Sequence, residues 1–458
     1  MPGRALVAAV AALLALPAPA SAHGIVARDD VPIPFWLLAV GAVLVLLISF
    51  GMLARAWPEP RFERDGWRPL ARIAHPATEI LAGAVGVFLL GVTIWSGFSG
   101  TDQVGFNFSV TFVFVTAWLG LVAVSVVFGD VFRAFNPWRA LARAGAWALR
   151  TIARRELTEA VPYPERLGRW PAVAALVAFV WLELSYGVRG LPDEGIEIPG
   201  VAPATVALAA LLYSLYTLLG MAVFGIETWL RRGEAFSVYF GMFASLAPLE
   251  VRDGVLGRRP WLTGATRWAD QPGSVALVLA AIALTVFDDA RDALFNRYWV
   301  DVWTFFVDAG LDSLGARRVT NTIFMALVLA VFAAVYRFGP AFAHTLIPIA
   351  LAYLVAHYFS FFVQQEQAQF TYLISDPLGR GWDLFGTAGH RIDFAVVGPT
   401  AVWGVQVAAL LAGHAVALAL AHDRALALRA SRRSQYALLA LMVAFTVLAL
   451  ALISELTA

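Results

Sequence analysis

The chain has 458 residues, 60% of them hydrophobic and 14% charged, with a formal net charge of +1. Soluble domains carry about a quarter charged residues, so the composition excludes an ordinary soluble protein; the near-neutral charge says nothing for a nucleic-acid partner, and none is expected. All 33 basic residues are Arg and there is no Cys, which removes lysine Schiff bases, P-loop lysines, thiolate metal sites, disulfides, iron–sulfur clusters and c-type haem.

From the N-terminus, Arg4, the apolar run Ala5–Leu16, Pro17 and the small residues Ala20-Ser21-Ala22 follow the order of a secretory signal peptide. Residues 1–22 are therefore expected to be cleaved, and residues 23–458 to form one polytopic transmembrane domain with short loops. Cleavage there makes His23 the first residue. An N-terminal His offers its α-amine and its imidazole Nδ1 to one metal ion, a histidine brace, as in several copper proteins outside the cytoplasm, including one subunit of the particulate methane monooxygenase.

Apolar segments of spanning length follow at 34–54, 79–98, 108–129, 170–188, 203–225, 273–290, 320–336, 343–363, 399–421 and 436–454. They predict an all-α integral membrane protein with about ten transmembrane helices behind the signal peptide. With the mature N-terminus outside a bacterial plasma membrane, the inner loops hold 24 Arg and the outer segments 8, in keeping with the positive-inside rule. The stretch 236–249 is too short to span and reads as interfacial or re-entrant. Residues 298–314 read as an amphipathic helix on the outer surface.

Ionisable groups inside spans are costly and mark functional candidates. The outer set comprises Glu183, Asp288, Asp289 and His357 with Tyr358, then Gln364 and Gln365 above them. His23, Arg28, Asp29, Asp30 and His390 lie on the same side. The inner set comprises His75, Glu79, Asp130, His344, His414 and His422. His344 and His357 stand about 20 Å apart along one helix, and His414 and His422 about 12 Å apart, so neither pair shares an ion. On the inner side, Asn136-Pro137-Trp138-Arg139 is expected to open an interfacial helix and Glu79 to complement a helix N-terminus. His422-Asp423-Arg424 is expected to form a solvated boundary.

No HExxH, CxxC, GxSxG or P-loop pattern occurs, so a site must be assembled from different helices. The candidate is the outer one: His23, His357, Asp288 and Glu183 as ligands of a divalent transition metal, copper or zinc, with Asp289 and His390 in reserve. Such an ion would lower the pKa of bound water, and Asp288 and Glu183 are the candidate bases. Each residue also has an ordinary reading. Glu183 could pair with Arg28 or Arg189, Asp288 could mark a helix end, and His357 could bond a neighbouring helix.

Six stretches carry a resemblance: HGIVARDDVPIPFWL at the mature N-terminus, NPWRALAR, VYFGMFASLAPLE, HTLIPIALAYLVAHYFSFFVQQEQ, SDPLGRGWDLFGTAG and AHDRAL. From His23 to about Arg424 the chain resembles the multispanning membrane proteins, common in actinobacteria, known as fenitrothion hydrolases. The resemblance implies hydrolysis of an organophosphorus aryl ester at the outer side of the membrane, and it implies no particular catalytic residues. The leading expectation is thus a membrane-embedded, metal-dependent hydrolase. A copper-binding oxidative protein using the His23 brace and a small-molecule or ion transporter are the alternatives. Expected partners are the bilayer, a small lipophilic substrate and a second membrane subunit.

Overall fold

The computed structural model describes residues 35–430 apart from 74, 155–160, 188, 192–195, 199, 269–270, 294–295 and 337–339, together with residues 436, 439–440, 442–443, 445–448 and 450. The expected signal peptide and His23 lie outside the described residues. Short single turns aside, the helices are α1 (Phe35–Ala56), α2 (Pro76–Ser99), α3 (Phe108–Phe128), α4 (Pro137–Thr151), α5 (Glu165–Tyr186), α6 (Pro203–Phe224), α7 (Ile226–Arg232), α8 (Ala235–Ala244), α9 (Ser274–Ala293), α10 (Asn296–Asp308), α11 (Ser313–Tyr336), α12 (Ala341–Leu373) and α13 (Pro399–Ala427). Two small sheets interrupt them. β1 (Arg68–Arg72), β5 (Val255–Arg258) and β4 (Leu249–Arg252) form one in the order β1-β5-β4, and β2 (Arg189–Leu191) pairs with β3 (Ile196–Ile198).

Eight helices among the described residues are long and apolar enough to cross a membrane: α1, α2, α3, α5, α6, α11, α12 and α13. They match eight of the ten expected spans. The sixth expected span is α9, whose apolar part, Ser274–Asp288, is shorter, and the tenth is described only in part. Packing agrees with a bilayer as solvent. α2 buries Gly83, Gly86, Thr93, Ser96 and Gly97 and exposes Ile80, Leu81 and Phe88 at about 70%. A soluble helix does the reverse. Where lipid is as apolar as leucine, helices gain by close contact through small residues. Gly86 shows how close: a Cβ there would stand 1.8 Å from the Phe135 carbonyl oxygen.

Contacts divide the chain into two compact units: residues 1–64, 278–360 and 395–458, and residues 65–277 with 361–394. The second unit has an aromatic core. Trp118 of α3 stacks on Tyr239 of α8 at 4.5 Å and meets Phe179 of α5 at 4.8 Å. α8 spans ten residues, about 15 Å of helix against a hydrocarbon thickness of about 30 Å. It is buried almost throughout, with Tyr239, Phe240 and Phe243 fully enclosed, so the short segment read as interfacial or re-entrant contributes to the core of this unit. α10 turns Trp299, Val302, Trp303, Phe306 and Val307 inward and exposes Tyr298, Asp301 and Phe305, the spacing of an amphipathic helix.

In the first unit α1 packs on α13 through Leu46 and Leu418. Here the expectation of a solvated His422-Asp423-Arg424 boundary is corrected. Asp423 is 1% exposed. It accepts from Trp57 Nε1 at 3.0 Å and from the backbone N–H of Arg61 at 2.5 Å and Phe62 at 3.1 Å. His422 Nε2 contacts the Trp57 carbonyl at 3.1 Å, and Arg424 pairs with Glu63 at 2.9 Å. The triplet thus ties down the loop that leaves α1, satisfying backbone groups that water would otherwise have to satisfy. Asp423→Ala strands three donors and is expected to cost about 3 kcal/mol. It should lower the midpoint of thermal unfolding and open residues 57–63 to proteolysis, whereas unchanged protection of that loop would refute the assignment.

Candidate catalytic site

α9 and α12 bring Asp288 and His357 together in the first unit. His357 Nε2 lies 2.8 Å from Asp288 Oδ2, and the Tyr358 hydroxyl donates to the same oxygen at 3.2 Å. Consecutive helical residues point about 100° apart, so His357 and Tyr358 bracket the carboxylate from two sides. Their rings meet edge to face at 4.3 Å. The His357 and Asp288 side chains are 20% and 17% exposed, shielded yet reachable. A carboxylate that holds one imidazole nitrogen fixes the ring orientation and tautomer, an arrangement that serves general-base catalysis and proton transfer.

The other expected members of the site belong to the second unit or lie outside the described residues. Glu183 belongs to the second unit, in the π-helical turn Leu182–Tyr186 that ends α5, within electrostatic reach of Tyr239. His390 is exposed in a loop of that unit. His23, Arg28, Asp29, Asp30 and the Asp289 side chain lie outside the described residues. Among the described residues no group of three or more His, Cys, Asp or Glu could hold a metal ion. No step below is routed through a metal.

The inner set has other duties. His75 caps α2, its Nδ1 accepting from the Ala77 N–H at 3.2 Å, and Glu79 pairs with Arg143 at 2.5 Å. Asn136 caps α4 with Pro137 at the first helical position, and its amide also donates to Glu234 at 3.2 Å. His344 and His414 are buried, with His414 Nδ1 2.8 Å from the Leu410 carbonyl.

One group escaped the sequence reading. Glu366, beside Gln364 and Gln365 in α12, accepts from the Thr116 hydroxyl at 3.2 Å through Oε2, while its buried Oε1 has no partner among the described residues. No ion pair reaches it among the described residues. Gln369, one turn further, is 2% exposed and also has an unpartnered oxygen. Both contacting helices are wound as π-helix nearby, over Phe112–Gly120 and Gln369–Leu373, a deviation frequent at functional sites. The signal was a carboxylate within spanning distance of the membrane centre, masked by its position inside a run of glutamines.

Comparison with protein families, with characterised proteins and with solved structures finds no match to this chain.

Proposed function

We propose that the chain is a membrane-embedded hydrolase of lipophilic esters, with Asp288, His357 and Tyr358 as its working centre. The observation carrying this reading is the 2.8 Å contact between His357 Nε2 and Asp288 Oδ2. With Nε2 keeping its proton toward Asp288, Nδ1 is the lone-pair nitrogen and takes a proton from water. The water oxygen attacks phosphorus, the bond to the aryloxide breaks, and the imidazolium returns its proton to the departing aryloxide. Asp288 stays ionised and steadies the imidazolium, and Tyr358 positions Asp288. Glu183 has no step in this scheme.

The ester class, an aryl phosphate ester, comes from the resemblance to fenitrothion hydrolases, and the outward orientation from the arginine distribution. A lipophilic triester partitions into the bilayer and reaches a site between helices laterally. Purified protein in lipid nanodiscs should release phenolate from such a triester faster than empty nanodiscs, before and after exhaustive chelation. Activity that vanishes on chelation and returns with copper or zinc would move the chemistry to a metal site including His23. No release at all would end the hydrolase reading.

A second reading, transport of an ion or small molecule, is favoured by Glu366. An intramembrane carboxylate with a buried, unpartnered oxygen suits a coupling-ion site. Glu366→Gln should abolish ion-driven uptake into proteoliposomes, and uptake unaffected by the substitution would remove this support.

A further inference from the structure

The sheet β1-β5-β4 serves neither reading, and its two faces differ. On one face Trp67 lies over Gly257, where a Cβ would stand 2.2 Å from the indole. Arg252 there joins Asp65 at 2.5 Å and Glu250 at 2.6 Å, and Arg267 reaches Asp65 at 2.9 Å. These four charges match one another, while Arg72, aligned with Val255 and Arg252 on the same face, is exposed. Strand alternation puts Arg68, Ala71, Leu249, Val251, Leu256 and Arg258 on the other.

Arg68 and Arg258 stand directly opposite each other on β1 and β5. Both are exposed, and neither side chain has an ion pair or hydrogen bond among the described residues. Directly opposed like charges destabilise a sheet, so this pair is unfavourable until an anion sits between them. Next to it lies apolar surface, with Val251 53% exposed and Ala71 exposed. The sheet is fixed to the end of a span. Gly129, just past α3 with φ of 84°, approaches so closely that a Cβ would meet the Leu249 carbonyl oxygen at 2.5 Å. The arginine distribution assigns this end of α3 to the inner leaflet.

We propose that this face binds an anionic phospholipid of that leaflet. Opposed strand residues have Cβ atoms about 5 Å apart, so two guanidinium forks can grip one headgroup phosphate. Bound there, the phosphate cancels the repulsion between them, and Val251 and Ala71 rest against the glycerol and upper acyl carbons. A lipid fits better than a soluble phosphate because apolar surface adjoins the charges and the sheet abuts a spanning helix.

The test titrates the full-length protein in mixed micelles with short-chain phosphatidylglycerol, phosphatidylcholine and glycerol 3-phosphate, reading occupancy by native mass spectrometry. Phosphatidylglycerol should bind at least tenfold more tightly than phosphatidylcholine, and glycerol 3-phosphate should not compete. Arg68→Gln with Arg258→Gln should remove about fivefold of that preference per arginine. The double variant should unfold no earlier than wild type in neutral lipid, because it relieves a repulsion. A preference retained by the double variant would overturn the proposal, and glycerol 3-phosphate binding as tightly as the lipid would replace it with a soluble phosphate ligand.

Discussion

Replacing His357 by Ala is expected to slow aryl ester hydrolysis by about 10²–10⁴-fold, the usual contribution of a positioned general base. The loss should fall on kcat with little change in KM, because the imidazole handles the proton of the attacking water rather than holding the substrate. Asp288→Asn keeps the shape and removes the charge. An amide can offer Nε2 either a donor or an acceptor, so the tautomer is no longer fixed, and a loss approaching that of His357→Ala is expected. Tyr358→Phe removes the hydrogen bond from the phenol to Asp288 Oδ2, worth about 1 kcal/mol, and should cost less than tenfold. Steady-state kinetics in nanodiscs distinguish these effects. A His357→Ala enzyme that keeps the wild-type kcat would show that the pair is merely a helix–helix contact.

The largest structural effect is expected at Glu234, which is fully buried. It caps α8, accepting from the N–H groups of Phe236 at 3.0 Å and Ser237 at 2.8 Å. It also accepts from the Asn136 amide at 3.2 Å and from the Tyr213 hydroxyl. This carboxyl links the starts of two helices, since Asn136 caps α4, and anchors both to α6. Glu234→Ala leaves these donors facing a cavity and should cost about 3–5 kcal/mol. Burial pushes the Glu234 carboxyl above the usual carboxylate range, and its donors pull it back only in part. An acid whose folded pKa is raised stabilises the fold most below its unfolded pKa and loses that contribution as pH rises through the folded pKa. Wild-type stability should therefore decline above the ordinary carboxylate range, and Glu234→Ala should lack this slope. Denaturant unfolding at several pH values tests both, and a cost under 1 kcal/mol would refute the capping account.

The helices were legible because spanning length and apolarity are local properties. Depth was legible too: Asp288 and His357 fell on one side of the bilayer by counting residues. Their pairing was not, since 69 positions separate them and periodicity does not say which helices touch. His422-Asp423-Arg424 read as solvated because a charge triplet at a span end normally is, and its burial depends on a loop some 360 positions earlier. The hairpin β4–β5 was within reach. Asp253-Gly254 between LEVR and VLGR is a strong two-residue turn signal, and both residues have positive φ. A search for span-length apolar runs passes over four-residue strands.

The central claim is that Asp288 and His357 act as one catalytic unit. A double-mutant cycle on phenolate release in nanodiscs, using wild type, Asp288→Asn, His357→Ala and the double variant, tests it most directly. Residues that act as a unit are strongly non-additive, so the double variant should be no slower than His357→Ala alone. Losses that multiply, or a double variant as fast as wild type, would contradict it.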